Sequence, residues 1–138
     1  MAFEESLRSV SLLADSSLAG YTGVPGLPGS ADPNDGKALF RFVKITGKRT
    51  VGLATTKATD VSIGICQNKP QVTGQAATVG IRGISMLCVD ATTDINPGDP
   101  LTCDGEGRGI KATGGDLVYA RALEPATVEG ELIAALIV

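Results

Sequence analysis

The chain has no histidine and no tryptophan, and only three phenylalanines and two tyrosines in 138 residues. Without histidine there is no Ser-His-Asp or Cys-His arrangement and no imidazole general base. Without tryptophan, and with so few tyrosines, there is little from which to build a stacking platform for sugars. That counts against the alternative reading of a small β-domain that binds a ligand or carbohydrate on the surface of a particle. Cysteine is scarce and odd in number: Cys66, Cys88 and Cys103 are far apart, form no C-x-x-C, and sit in apolar strand-like runs. They read as buried free thiols of a protein made in a reducing cytoplasm, not as zinc ligands. No apolar run approaches membrane-spanning length, and no signal peptide is expected at MAFEESLRS, which begins acidic and lacks a charged n-region followed by a long apolar h-region. The net charge of −3 argues against nucleic acid as a partner. No enzyme activity, cofactor, metal, nucleic acid or membrane partner is expected.

What is abundant is glycine, with 18 residues, among many valines, isoleucines and threonines. That composition favours an all-β protein with many tight turns. A single domain of this length buries roughly two-thirds of its unfolded surface, enough for a core without disulfides. Residues 37–138 read as a small β-barrel or sandwich-like domain of about eight strands, with turn signals every eight to twelve residues. Residues 1–36 read as an extended N-terminal arm and a Gly/Pro-rich linker. Within them, Gly20, Gly23, Gly26 and Gly29 recur at a collagen-like spacing, with Pro25 and Pro28 between, but the run is too short to hold a triple helix. An extended linker between mechanically separable parts is the simpler reading.

Along the domain, Ala38 to Ile45 and Thr50 to Thr55 flank a turn at Thr46-Gly47-Lys48-Arg49. Val61, Ile63 and Ile65 alternate with polar or small residues, as do Ala77, Val79 and Ile81, which predicts half-buried strands. Gly83 is expected to mark a bulge or bend before the run Ile84 to Val89. Charge is divided along the chain. Lys37, Arg41, Lys44, Lys48, Arg49 and Lys57 fall together without an acid. Asp90, Asp94, Asp99, Asp104, Glu106, Asp116, Glu124, Glu129 and Glu131 share their stretch with only Arg108, Lys111 and Arg121. One expectation is that the basic edge of one copy meets the acidic turns of the next in a salt-sensitive oligomer.

Apparent catalytic motifs dissolve on inspection. Gly105-Glu106-Gly107-Arg108-Gly109 lacks the GK[ST] of a phosphate loop. Asp99, Asp104 and Glu106 lack the alternating spacing of a calcium loop and read as turn residues. The acids cluster in turns and do not face each other across a cleft, as glycoside hydrolysis requires.

The C-terminal stretch Ile95 to Val138 is punctuated as strand, turn, strand. Asn96-Pro97-Gly98-Asp99 and Asp104-Gly105-Glu106-Gly107 are turns. Pro100 to Cys103, Gly109 to Ala112, Leu117 to Leu123 and Glu131 to Val138 are strand candidates, the last ending the sequence on a run expected to be buried. The patterns I-x-P-G-D-P-L-T-x-D-G-x-G-R, A-R-A-L-E-P-A-T and E-G-E-L-I-x-x-L-I-V, with the glycines of Ile63 to Gly83, resemble the small capsid cement (decoration) proteins of tailed bacteriophages. The likeness covers roughly residues 60 to 138. It implies a structural virion protein, made in the host cytoplasm, that binds the major capsid protein at capsomer junctions on the outer capsid surface. It further implies a homotrimer that stabilises the shell against genome pressure, gaining avidity from several modest contacts. In this reading the arm adds contacts as an extended strand. Its apolar anchors would be Phe3, Leu7, Val10, Leu12 and Leu13, with Tyr21 at its base. Removing residues 1–19 is then expected to abolish capsid binding while leaving the barrel folded.

Overall fold

A computed structural model describes residues 7–19 and 38–138. Among them every regular element is a strand, so the expected all-β fold is observed. The strands are β1 (Arg8–Ala14), β2 (Phe42–Gly47), β3 (Thr50–Leu53), β4 (Ser62–Cys66), β5 (Ala76–Asp90), β6 (Pro100–Cys103), β7 (Gly109–Lys111), β8 (Ala120–Ala122) and β9 (Glu129–Ile137). They form one 9-stranded sheet in the order β1-β3-β2-β4-β5-β7-β6-β8-β9, with additional β1–β5 and β5–β9 pairings.

Those extra pairings close two rings. The first half of β5 completes β1-β3-β2-β4, and its second half completes β7-β6-β8-β9. The two small barrels thus share a strand of 15 residues. Its register shows how one strand serves both. Ala77 and Val79 point into the first core, and Leu87 and Val89 into the second. Between them the pairing with β1 skips Ile81, since Arg8 faces Arg82 while Ser9 faces Gly80. Gly83 then takes a φ of 105°, open to glycine and strained for other residues. A bulge followed by a left-handed glycine re-aims the strand, as expected for Gly83.

Strands β2 and β4 form the wall between the barrels. Neighbouring side chains on each point opposite ways: Phe42 and Ile65 enter the second core, Val43 and Cys66 the first. Phe42 meets Tyr119 edge to face, with ring centroids 5.1 Å apart. The gap left as β5 changes barrels is closed by Gln67, whose Nε2 donates to Ser85 Oγ at 2.7 Å and to Ile65 O at 3.0 Å. Ser85, a polar residue in the interior, is satisfied in this way.

The N-terminal segment differs from expectation. Residues 8–14 are not a separable arm; they form β1, antiparallel to β5 over Arg8–Leu13 and parallel to β3 at Leu13 and Ala14. Ala14, Leu18 and Ala19 are core residues of the first barrel. The segment is held by Asp15. Its Oδ1 accepts from Ser17 N, Ser17 Oγ and Leu18 N, and its Oδ2 from Thr46 Oγ1 at 2.8 Å. Ser17 Oγ in turn accepts from Leu53 N. Partial burial pushes the Asp15 carboxyl up, but the bonds from Ser17, Thr46 and Leu18 outweigh it, so its pKa lies below the usual carboxylate value. The collagen-like triplets lie outside the described residues.

Three boundaries also shift. Regular pairing in β2 begins at Phe42, because Phe40 adopts a φ of 58° and bridges two strands, donating to Cys66 O and accepting from Cys88 N. Between Leu117 and Leu123 only Ala120–Ala122 form a strand. The final apolar run is one-sided: Ile133 and Ala135 are buried, whereas Leu136 and Val138 are exposed. Cys66 and Cys103 are buried thiols, and Cys88 is half-buried.

These contacts set two outcomes. Deleting residues 1–19 unpairs one edge of β5 and strips three core residues, so cooperative unfolding should be lost or Tm should fall sharply by circular dichroism. An unchanged melt would refute the integrated β1. Asp15→Asn should cost about 1–3 kcal/mol at neutral pH. Because the folded pKa is depressed, that stability is present above the unfolded carboxyl pKa of about 4 and is lost as pH falls through the folded value. The gap between wild type and Asp15→Asn should therefore be constant above about pH 4 and close below it. In addition, a Cβ on Gly64 would lie 2.0 Å from Gly80 O, so Gly64→Ala should destabilise by at least about 1–3 kcal/mol in urea melts.

Candidate docking surface

The β5–β9 pair is apolar on both faces. Inward, Leu87, Val89, Ile133 and Ala135 fill the second core. Outward, Ile84 faces Leu136, Met86 faces Ala134, and Cys88 faces Leu132. Ile84 and Leu136 remain 39% and 37% exposed, and Met86 and nearby Leu123 are exposed as well. One end of the strip is closed: Leu39, Phe40 and Arg41 line a small cavity with Cys88 and Leu132. The other end opens toward Ile81 and Arg82 at the crossing between barrels. On β8, Arg121 lies opposite Leu136 and donates to Gly98 O at 3.3 Å. A contiguous apolar strip on a strand pair marks a surface suited to another protein.

The charged turns serve structure. Arg108 Nε donates to Asp104 Oδ2 at 2.9 Å and its Nη1 to Glu129 Oε1 at 2.8 Å, while Nη2 lies 3.5 Å from Asp90 and 3.4 Å from Glu106. Burial opposes the guanidinium's charge, and Glu129 and Asp104 more than offset it, raising its pKa. Asp104 Oδ1 also accepts from the Glu106 and Arg108 amides, and Asp99 Oδ2 from the Asn96 amide. The basic and acidic stretches meet within one chain: Arg41 Nη1 donates to Glu106 O at 3.0 Å, and Lys57 lies 3.6 Å from Asp116.

Asp60 joins the barrels. Its carboxylate accepts from Lys44 Nζ at 2.8 Å and from the Thr55 and Thr56 amides, and Lys44 together with those amides holds its pKa low. Its backbone carbonyl accepts the Tyr119 hydroxyl, whose pKa burial and the neighbouring Cys103 raise. A second concavity, of about 530 Å³, opens beside Lys44, Ile45, Thr46, Val61 and Ile63.

No protein-family model matches the chain, and no curated protein matches it. Solved structures do. The fold is similar to that of a phage head-fibre base. The chain aligns with "the crystal structure of head fiber gp8.5 N base in bacteriophage phi29" at a TM-score of 0.58 and 15% identity, over 96% of this chain and 95% of that one. At that identity the likeness is one of fold.

Of the anchors expected from sequence, Phe3 and Tyr21 lie outside the described residues. Leu7 packs over Gly80, where a Cβ would come within 2.9 Å of Leu7 Cδ1. Leu12 is half-buried against the first core. Val10 and Leu13 are exposed on β1. Val10, Leu12 and Leu13 belong to the sheet strand β1, and Leu7 directly precedes it. Sequence reasoning missed the β5–β9 strip, although its signal was present: ISMLCV and ELIAALIV carry apolar side chains at both parities, which a barrel interior uses on one face only. The facing is checked by contrast. Ile84→Lys should change stability by less than about 0.5 kcal/mol, whereas Leu87→Ala should cost about 2–5 kcal/mol, both measured by chemical denaturation.

Proposed function

We propose that this chain is a structural protein of a bacteriophage particle that attaches to the capsid and has no catalytic role. The observation that carries this reading is the near end-to-end fold match to a phage head-fibre base. The turn-and-strand pattern of Ile95 to Val138, which resembles capsid cement proteins, supports it independently. So does an exposed apolar strip on a rigid strand pair, which suits contact with a protein shell.

In the finer form of this reading, the chain binds the major capsid protein at capsomer junctions on the outer surface. It acts as a homotrimer made in the host cytoplasm, and the bound copies oppose internal genome pressure. Multivalent attachment makes modest contacts sufficient. The rigid barrels and the strip, not a detachable arm, provide the contact surface.

The test uses purified shells of the phage that encodes the chain. Co-sedimentation should show saturable binding, and bound shells should melt at higher temperature than bare ones. Absence of binding to both unexpanded and expanded shells would overturn the attachment role. Binding without a thermal shift would overturn stabilisation alone.

A further inference from the structure

On the outer surface at the crossing between the barrels, Arg8 of β1 stands directly opposite Arg82 of β5. Both are exposed. Like charges at directly opposed positions of an antiparallel pair repel. Among the described residues neither arginine lies within ion-pair distance of a carboxylate. The contrast with Arg108, which gathers four carboxylates, is sharp. The bulge turns Ile81 and Arg82 outward in succession, next to Ile84 and its partner Leu136. Two guanidiniums with no carboxylate in ion-pair distance among the described residues therefore sit at the open end of the apolar strip.

Building on the capsid-attachment reading, we propose that Arg8 and Arg82 receive carboxylates from an acidic segment of the shell protein whose apolar residues lie along Ile84 and Leu136. Charge complementarity selects the occupant. A guanidinium presents a planar fork of donors that matches a carboxylate in two parallel hydrogen bonds. The adjoining strip offers apolar contact, which a protein segment uses and a phosphate backbone does not. The chain's net charge of −3 also disfavours a polyanionic nucleic acid. In the free protein the pair is a site of repulsion, and the partner's carboxylates relieve it on docking.

This assignment separates stability from binding. Arg82→Glu converts the repelling pair into an attracting one, so Tm of the free protein should rise by about 1–4 °C. Affinity for shells should fall by at least about tenfold. Arg82→Gln should weaken binding less and reduce its salt dependence. Lys48→Glu, at the β2–β3 turn, is the charge control and should bind as wild type. If wild type fails to bind shells, the attachment reading itself falls. If wild type binds and Arg82→Glu binds equally well, only the present assignment falls. It also falls if Arg82→Glu lowers Tm, if Lys48→Glu loses as much affinity, or if duplex DNA displaces the shells from wild-type protein.

Discussion

The structure depends on the hydrogen bonds along both edges of β5. A strand of 15 residues would be long for either barrel alone. Here its halves are claimed by different neighbours, β1 and β4 on one side of Gly83 and β9 and β7 on the other. Closing each ring removes most open strand edges, which suits a domain of this size. It also lets short strands such as β7 and β8 persist, because each is bordered by partners that are themselves fixed. The bulge at Ile81 and the left-handed Gly83 are what allow one backbone to serve two cores.

Charge is used locally in this fold. The basic and acidic stretches that looked like complementary surfaces of two copies are already in contact within one chain, through Arg41 at the Glu106 carbonyl and Lys57 near Asp116. Asp15, Asp60 and Asp104 each collect several donors and so fix a turn against a neighbouring strand. Arg8 and Arg82 at the crossing, by contrast, have no carboxylate in ion-pair distance among the described residues.

Much of the fold was legible in the sequence for physical reasons. Pro100–Cys103, the Lys48-Arg49 turn and the Gly83 bend were set by local turn chemistry and period-two alternation, and these do not depend on distant contacts. The integration of β1 was not legible. Its serines and its exposed Val10 and Leu13 blur the alternation, and its position is decided by pairing with β5 and by the Asp15 node, both remote in sequence. The short motif Asp15-Ser16-Ser17-Leu18 did carry a sign of an ordered turn. Phe40 escaped because its left-handed backbone is imposed by bonds to Cys66 and Cys88. The final run, Glu131 to Val138, was expected to be wholly buried because an apolar run reports burial without saying whether this chain or another supplies the cover.

The shared strand has a mechanical consequence. Hydrogen bonds on an antiparallel pair lie across the strand direction, so tension applied along β5 loads its bonds to β1 and β9 together, in shear. A pull at one end cannot peel either barrel open one bond at a time. Force entering one barrel passes through a single continuous backbone into the other, which makes the two rings behave as one stiff rod under load.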